Sequence, residues 1–402
     1  MAKKEAGNPR RTRTARSRRR RRKRGNWFLR LSIGKKVAVC LLGVLICLIA
    51  SGVIYVSAKL NKLNTEDIPK KNIAVNDLEE GVGEGFTNFA LFGSDSRAAG
   101  ADEGTRTDCI IVASLNNKTR EVKMVSVYRD SLLDIGEGTL NKCNGAYSHG
   151  GAKQAIDMLN TNLDLEIEDY VTVDFAAISD VIDLLGGVEI EVSEVELPYL
   201  NKFLGETAQV AGKKANPVTK AGMQTLDGVQ ATTYARIRST KGGDFKRAER
   251  QRYVIEKMVE KALKADLATI NKIIDVVLPK IKTSLSATEI LNYAKSFNKY
   301  TLGDNIGFPI EKTTDTLPGL GSVVIPVTLE SNVVQLHEFL YGEEDYQPSS
   351  KVQSISSKLQ KKVGKRVADP ETQWESPSDK KVTESVGKTE EPAETQPDVQ
   401  IN

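Results

Sequence analysis

The first strong pattern along the chain is an unbroken apolar run, "VAVCLLGVLICLIASGVIYVSA", Val37 to Ala58, without a charged residue. At 1.5 Å per helical residue its 22 positions span the hydrocarbon core of a bilayer. The run exceeds the roughly 7–15 apolar residues of a cleaved signal peptide, so a transmembrane helix over 37–58 is expected. Residues 59–84 are polar and mixed and predict a stalk. Beyond them, short apolar segments of two periods interleave. "FTNFALFG" (86–93), "DCIIVASLN" (108–116), "EVKMVSVYRD" (121–130), "YVTVDF" (170–175), "VEIEVSEVEL" (188–197), "ATTYARIRS" (231–239) and "SVVIPV" (322–327) predict strands. "GGAKQAIDMLNTNL" (150–163), "AISDVIDLLGG" (177–187), "RAERQRYVIEKMVEKALKA" (247–265) and "SATEILNYAKSFNKY" (286–300) predict helices. Residues 198–219 are loop-like and suggest a lid. From 346 to 402 the chain turns to Lys, Glu, Ser, Thr, Pro and Gln, which predicts a disordered tail. Over 85–345 the interleaving predicts an α/β fold with a central sheet flanked by helices. The tight "NNKTR" connection makes that sheet mixed.

Charge changes the picture at one end. The net charge is +4, yet residues 1–36 hold 16 of the 57 Lys and Arg against a single acid, Glu5. Basic flanks stay in the cytoplasm, so residues 1–36 are expected inside and everything after 58 outside. Topogenesis and attraction to anionic lipid account for this arm, and no nucleic acid partner is expected. Only two histidines are present, His149 and His337, which argues against a conventional zinc site or a Ser-His-Asp hydrolase. Of the four cysteines, Cys40 and Cys47 lie in the apolar run. Cys109 and Cys143 read as unpaired core residues.

"YARIRSTKGGDFKRAERQR", Tyr234 to Arg252, packs five arginines into nineteen residues. The apolar stripe of the following helix contains Val254, Ile255, Met258, Val259, Ala262 and Leu263. Traced backwards in steps of three and four it reaches Gln251, Arg247 and Asp244, so those groups head a buried face. Lys246, Glu249 and Arg252 fall on other sides and read as solvated; Arg250 can face either way. In an extended reading Tyr234, Arg236 and Arg238 share one face, with Ala235 and Ile237 on the other. Adjacent arginines repel unless an anion or a carboxylate lies between them, and carboxylates among arginines can equally be plain ion pairs. A second set of charges sits at strand ends: Asp95 and Arg97 past the first strand, Arg106 and Asp108 at the entry to the next, Arg129 and Asp130 past the third. Ligands of open α/β sheets bind at strand ends. Two aspartates within a ring of arginines suit a Mg²⁺–pyrophosphate group.

At these residues the sequence resembles the LytR-CpsA-Psr family of wall-polymer ligases. The resemblance runs over about 86–345 through "LFGSDSR", "RTD", "VSVYRDS", "KCNGAYSHGG", "LLGGVEIEV", "AGMQTLDGVQATTYARIRS" and "GDFKRAERQR", in the family's order. It implies an α/β domain with an apolar tunnel for a polyprenyl chain. It also implies transfer of a glycopolymer (teichoic acid, capsule or similar) from a polyprenyl pyrophosphate carrier to the 6-hydroxyl of peptidoglycan N-acetylmuramic acid. By resemblance, Asp95 and Asp108 are the Mg²⁺ ligands. Arg129, Arg236, Arg238 and Arg247 form the pyrophosphate clamp, Gln251 assists, and Arg97 and Arg106 lie nearby. Asp244 resembles the base for the acceptor hydroxyl. An aspartate among arginines is expected to have a lowered pKa and to be a weak base. A pyrophosphatase using water as acceptor and a membrane-tethered lipid- or polymer-binding protein are the alternatives. The same resemblance implies a Gram-positive bacterium.

Overall fold

A computed structural model of the chain describes residues 64–66, 68–94, 107–294 and 296–370. The expected transmembrane run 37–58 and the basic arm lie outside these residues, as do Asp95, Arg97, Arg106 and the segment after 370. No helix among the described residues is long and apolar enough to cross a membrane.

In chain order the strands are β1 (Asn64–Thr65), β2 (Phe86–Ser94), β3 (Thr107–Asn116), β4 (Glu121–Val127), β5 (Leu132–Asp134), β6 (Leu140–Lys142), β7 (Ile167–Asp174), β8 (Val188–Val192), β9 (Gly222–Leu226), β10 (Ile281–Thr283), β11 (Thr301–Phe308), β12 (Lys312–Leu317) and β13 (Gly321–Pro326). The helices are α1 (Asn144–Leu163), α2 (Phe175–Leu184), α3 (Glu196–Ala211), α4 (Gly228–Tyr234), α5 (Gly243–Ala262), α6 (Leu267–Val277), α7 (Ala287–Ala294), α8 (Leu329–Tyr341) and α9 (Ser350–Val363). Seven strands form one sheet in the order β1-β10-β7-β2-β3-β4-β11. β2 pairs parallel with β7 and β4 parallel with β11, while β3 runs antiparallel between β2 and β4. The sheet is therefore mixed, as the short β3–β4 connection predicts.

One face of the sheet is filled. Ala90, Phe92, Ile110, Val112, Val125 and Val127 pack into a core with Ile156, Leu159 and Leu163 of α1 and Val333 and Leu336 of α8. On the other face Phe89, Leu91, Val171 and Val173 stay half-buried. α2 packs on β7 there, and α5 on β4 and β11. A smaller core joins α2, β8, β9, α3 and α4 through Ile182, Ile190, Leu200, Leu204, Leu226 and Val229.

Four expectations are corrected by burial and capping. The lid over 198–219 is in large part helix α3, whose Leu200, Leu204, Thr207 and Ala208 recur at helical spacing and are buried. The strand over 231–239 is the end of α4 and a turn. Asp227 caps that helix, its side chain accepting from the Gln230 N–H while the Gln230 side chain bonds back to Asp227. The expected stalk contributes β1 and the buried Ile68 and Ile73. The first part of the tail expected to be disordered over 346–402 instead forms α9, which buries Val352, Ile355 and Leu359 against the main core, while its part after 370 lies outside the described residues.

Asp164 holds this C-terminal helix in place. It ends α1 in the left-handed region (φ 53°) and is 1% exposed. Its carboxylate accepts from the Ser349 Oγ (2.6 Å), the Ser349 N–H (2.8 Å), the Tyr346 hydroxyl (2.9 Å) and the Asn76 amide (2.5 Å). Asp164→Ala is expected to cost about 3 kcal/mol, because hydrogen bonds to a buried charge are worth more than neutral ones. Urea unfolding of the variant measures this, and a change below about 1 kcal/mol would show that α9 docks without the clamp.

Candidate active site

The strand directions bring the C-terminal ends of β2, β4 and β7 to the same edge as the start of β3. At this edge the β2–β3 ladder slips. Gly93 pairs with Cys109 but Ser94 pairs with Thr107, which leaves Asp108 as the extra residue of a β-bulge. A bulge re-aims the side chain it carries. Asp108 thereby meets three guanidiniums from different elements. Arg129, just past β4, bonds one carboxylate oxygen, and Arg238 reaches the other at 2.9 Å. Arg247 Nη1 lies 3.5 Å from that second oxygen, and its Nη2 donates to the Asp108 carbonyl at 3.3 Å.

Arg247 and Asp244 come from the first turns of α5. The chain enters that helix through Gly242 (φ 90°) and Gly243 (φ 46°), a left-handed approach that side chains disfavour. Asp244 then sits in the first turn, where the helix dipole favours an acid. Arg247 holds it at 2.8 Å, with Arg238 at 3.7 Å. Nevertheless burial pushes the Asp244 carboxyl up to about 6. The Asp130 and Asp108 charges add to the rise, and Arg238 and Arg129 oppose it. This overturns the expected lowering: desolvation outweighs the neighbouring cations.

Asp108, Arg129, Arg238 and Arg247 line a cavity of about 710 Å³, together with Arg236, Ser239, Gln251, Phe175, Phe203 and Glu206, and Asp244 stands behind this lining, held by Arg247. Arg236 donates to the Thr207 hydroxyl (3.2 Å), lies 3.4 Å from Glu206 and stacks 5.4 Å over Phe175. Arg247 is 3% exposed, and its Nε and Nη1 are buried without a hydrogen-bond partner. The Gln251 Nε2 and the Arg129 Nε are in the same condition. Unpaired buried donors are costly, so a cluster of them around one cavity calls for an acceptor-rich ligand.

Of the five arginines in the basic stretch, Arg236, Arg238 and Arg247 therefore converge on the cavity. Of the other two, Arg250 braces the segment that carries Arg236 and Arg238, and the expectation that Arg252 is solvated is corrected. Arg252 is buried and donates to Asn305 at 2.6 Å. Arg250 bonds Glu196 (2.6 Å), the Ile237 carbonyl (3.1 Å) and Thr240 (2.8 Å), tying α5 to the segment that carries Arg236 and Arg238. Sequence reasoning did not single out Phe175, Phe203 and Glu206, which carry no motif, or Ser239, which lies within the basic stretch beside its arginines. Cys109 and Cys143 are both unpaired, as expected. No group of three or more His, Cys, Asp or Glu side chains is placed to hold a metal among the described residues. Asp108 supplies one carboxylate, a hard oxygen donor of the kind a cation shared with phosphate oxygens takes, and in this structure its two oxygens face Arg129, Arg238 and Arg247.

The mixed sheet thus carries, at its strand ends, a cavity lined by arginines and carboxylates, a donor set chemically suited to a phosphorylated ligand. The chain belongs to the LytR_cpsA_psr family, whose model matches residues 51–312. It is 30% identical over 285 residues to the polyisoprenyl-teichoic acid–peptidoglycan teichoic acid transferase TagU of Enterococcus faecalis, covering 67% of this chain and 87% of that protein. It is also 30% identical over 240 residues to the transferase TagV of Bacillus subtilis, covering 58% of this chain and 56% of that one. A solved structure described as TagT bound to LIIa-WTA shares the fold, with a TM-score of 0.54 at 19% identity, over 70% of this chain and all of that one.

Proposed function

We propose that the protein transfers a glycopolymer from a polyprenyl pyrophosphate carrier to the 6-hydroxyl of N-acetylmuramic acid in peptidoglycan. The observation that carries the reading is the set of buried donors on Arg129, Arg247 and Gln251 that lack a hydrogen bond around one cavity. The acceptor oxygen forms a bond to the phosphorus that bears the sugar. The bridging P–O bond breaks, and polyprenyl phosphate leaves with the electron pair. Arg129, Arg236, Arg238 and Arg247 bind the pyrophosphate and hold charge as it develops on the leaving phosphate, with Gln251 donating beside them. Asp244 accepts the proton of the acceptor hydroxyl. A carboxyl with a pKa of about 6 suits that role better than an ordinary aspartate, since it is ionised at neutral pH yet appreciably basic. On the sheet face toward α2 and α5, Phe89, Leu91, Val171 and Val173 on β2 and β7 are half-buried, and that apolar strip offers the carrier's hydrocarbon a path away from the cavity, while Ile111 and Met124 on β3 and β4 are already buried.

Mg²⁺ would be held by Asp108 and Asp95, and when bound it supplies charge neutralisation on the pyrophosphate oxygens. The basic arm and the apolar run 37–58 support a single-pass membrane protein with residues 1–36 in the cytoplasm and the catalytic domain outside, in a Gram-positive cell. The full chain in detergent, given a polyprenyl pyrophosphate-linked sugar and peptidoglycan oligomers, is expected to make a phosphodiester between them. EDTA is expected to lower the rate by about 100-fold or more, and added Mg²⁺ to restore it. Sugar phosphate released without linkage to glycan would replace the transferase by a pyrophosphatase. Lipid binding without turnover would leave only a binding protein.

A further inference from the structure

Lys312 opens β12 and is 1% exposed. Its ammonium lies 5.4 Å from the ring centre of Tyr128 and 5.2 Å from that of Phe245, and donates to the Ile310 carbonyl at 3.2 Å. The two rings meet edge to face with centres 4.7 Å apart. A cation against aromatic rings is drawn to their negative faces, more strongly when desolvated. Burial, with Arg252 adding to it, lowers the lysine to about 8 against the opposing charge of Asp369, so it remains mostly charged at neutral pH.

The two rings belong to residues that adjoin the site. Tyr128 precedes Arg129, and Phe245 follows Asp244. Those two site residues come from separate elements, the end of β4 and the first turn of α5. Tyr128 is fixed on its other side as well. Its N–H donates to the Phe308 carbonyl at 3.0 Å, and a Cβ at Gly307 would fall 2.0 Å from its hydroxyl. Gly307 is therefore the gap that admits the phenol. The aromatic pair is the joint between strand and helix, and Lys312 fills it. As a source of stability this is a poor choice: an ammonium loses hydration on burial, and a methionine of similar length fills space without that cost.

We infer that Lys312 is a positioning residue for the transfer reaction: its ammonium, set against the rings of Tyr128 and Phe245, fixes the placement of Arg129 relative to Asp244. This rests on the proposed function. The test uses the full chain in detergent as wild type, Lys312→Met and Lys312→Arg. It measures the thermal midpoint, the transfer rate, and the affinity for farnesyl pyrophosphate as a probe of the arginine site. Lys312→Met is expected to unfold at the wild-type temperature or above it. Its kcat is expected to fall by about 10- to 100-fold, the scale on which a small misplacement acts, and its probe affinity by about 10-fold. Lys312→Arg, which keeps the cation, is expected to recover both to within about threefold. Wild-type kcat and affinity in Lys312→Met would overturn the inference. So would losses in both variants that follow a fall in thermal midpoint, since that is the signature of a merely structural lysine. If the wild type binds the probe but transfers nothing, the proposed function fails, and the affinities of the two variants still decide the role of Lys312. A wild type that neither transfers nor binds the probe overturns both.

Discussion

Arg247→Met is expected to lower the transfer rate by about three orders of magnitude in a chain that still folds, a far larger effect than Arg238→Met. Both arginines touch the Asp108 carboxylate, so distance alone would rank them the other way, with Arg238 nearer at 2.9 Å and Arg247 at 3.5 Å. Burial reverses the order. The side chain of Arg238 is 47% exposed, and a half-solvated cation is screened. Arg247 is 3% exposed, and two of its three nitrogens lack a hydrogen-bond partner. A preorganised donor in a dry site needs no reorganisation as charge moves onto the leaving phosphate. Removing one such donor costs about 10²–10³ in rate, and an arginine acting on phosphoryl transfer can be worth more. Arg238→Met is expected to lose about tenfold, on the ground of its screening. Single-turnover rates with saturating lipid, read beside the thermal midpoint of each variant, check the ranking. Equal losses in the two variants would mean that the unpartnered nitrogens of Arg247 do not face the phosphates.

Much of this site is legible in the amino-acid sequence, and the reason is local. The stripe of α5 runs through Val254 to Gln251, Arg247 and Asp244 at helical spacing, and a helix of that length keeps its period to its first turn. Arg236 and Arg238 reach the same cavity for a different reason than the one expected. They lie past the end of α4 in a turn, with Ile237 buried between them. Alternation survives the loss of the strand. The signal for α4 is present as Asp227 and Gln230, a capping pair. Helix α9 escapes a sequence reading because Lys, Ser and Gln dominate it; only Val352, Ile355 and Leu359 mark its buried face. Composition speaks for disorder there, and tertiary burial overrides it. The bulge at Asp108, the brace made by Arg250 and the aromatic joint at Lys312 depend on partners 10 to 184 positions away, and no local pattern encodes such pairings.

The second large effect separates the roles of charge and burial at Asp244. The value of kcat/KM is expected to rise with pH through about 6 and level off above it, because only the ionised carboxylate can take the acceptor proton. Asp244→Asn is expected to lack this rise and to sit about 10²–10⁴-fold below the wild-type plateau. Had the arginines dominated, the carboxyl would titrate below its ordinary 3.8, and activity would be flat across the range near 6. Stability gives an independent reading with the opposite slope. A carboxyl whose folded pKa exceeds its unfolded one binds its proton more tightly in the native state. Its contribution is fully present below 3.8 and is lost as pH rises through about 6. The difference corresponds to at most about 3 kcal/mol. The stability of Asp244→Asn relative to wild type should therefore improve from pH 4 to pH 7, while its activity relative to wild type worsens. Urea midpoints for both proteins at the two pH values test this. A relative stability that instead declines with pH would show that Arg247 and Arg238, not burial, govern the carboxyl, and the acid limb of the rate profile would then need another owner.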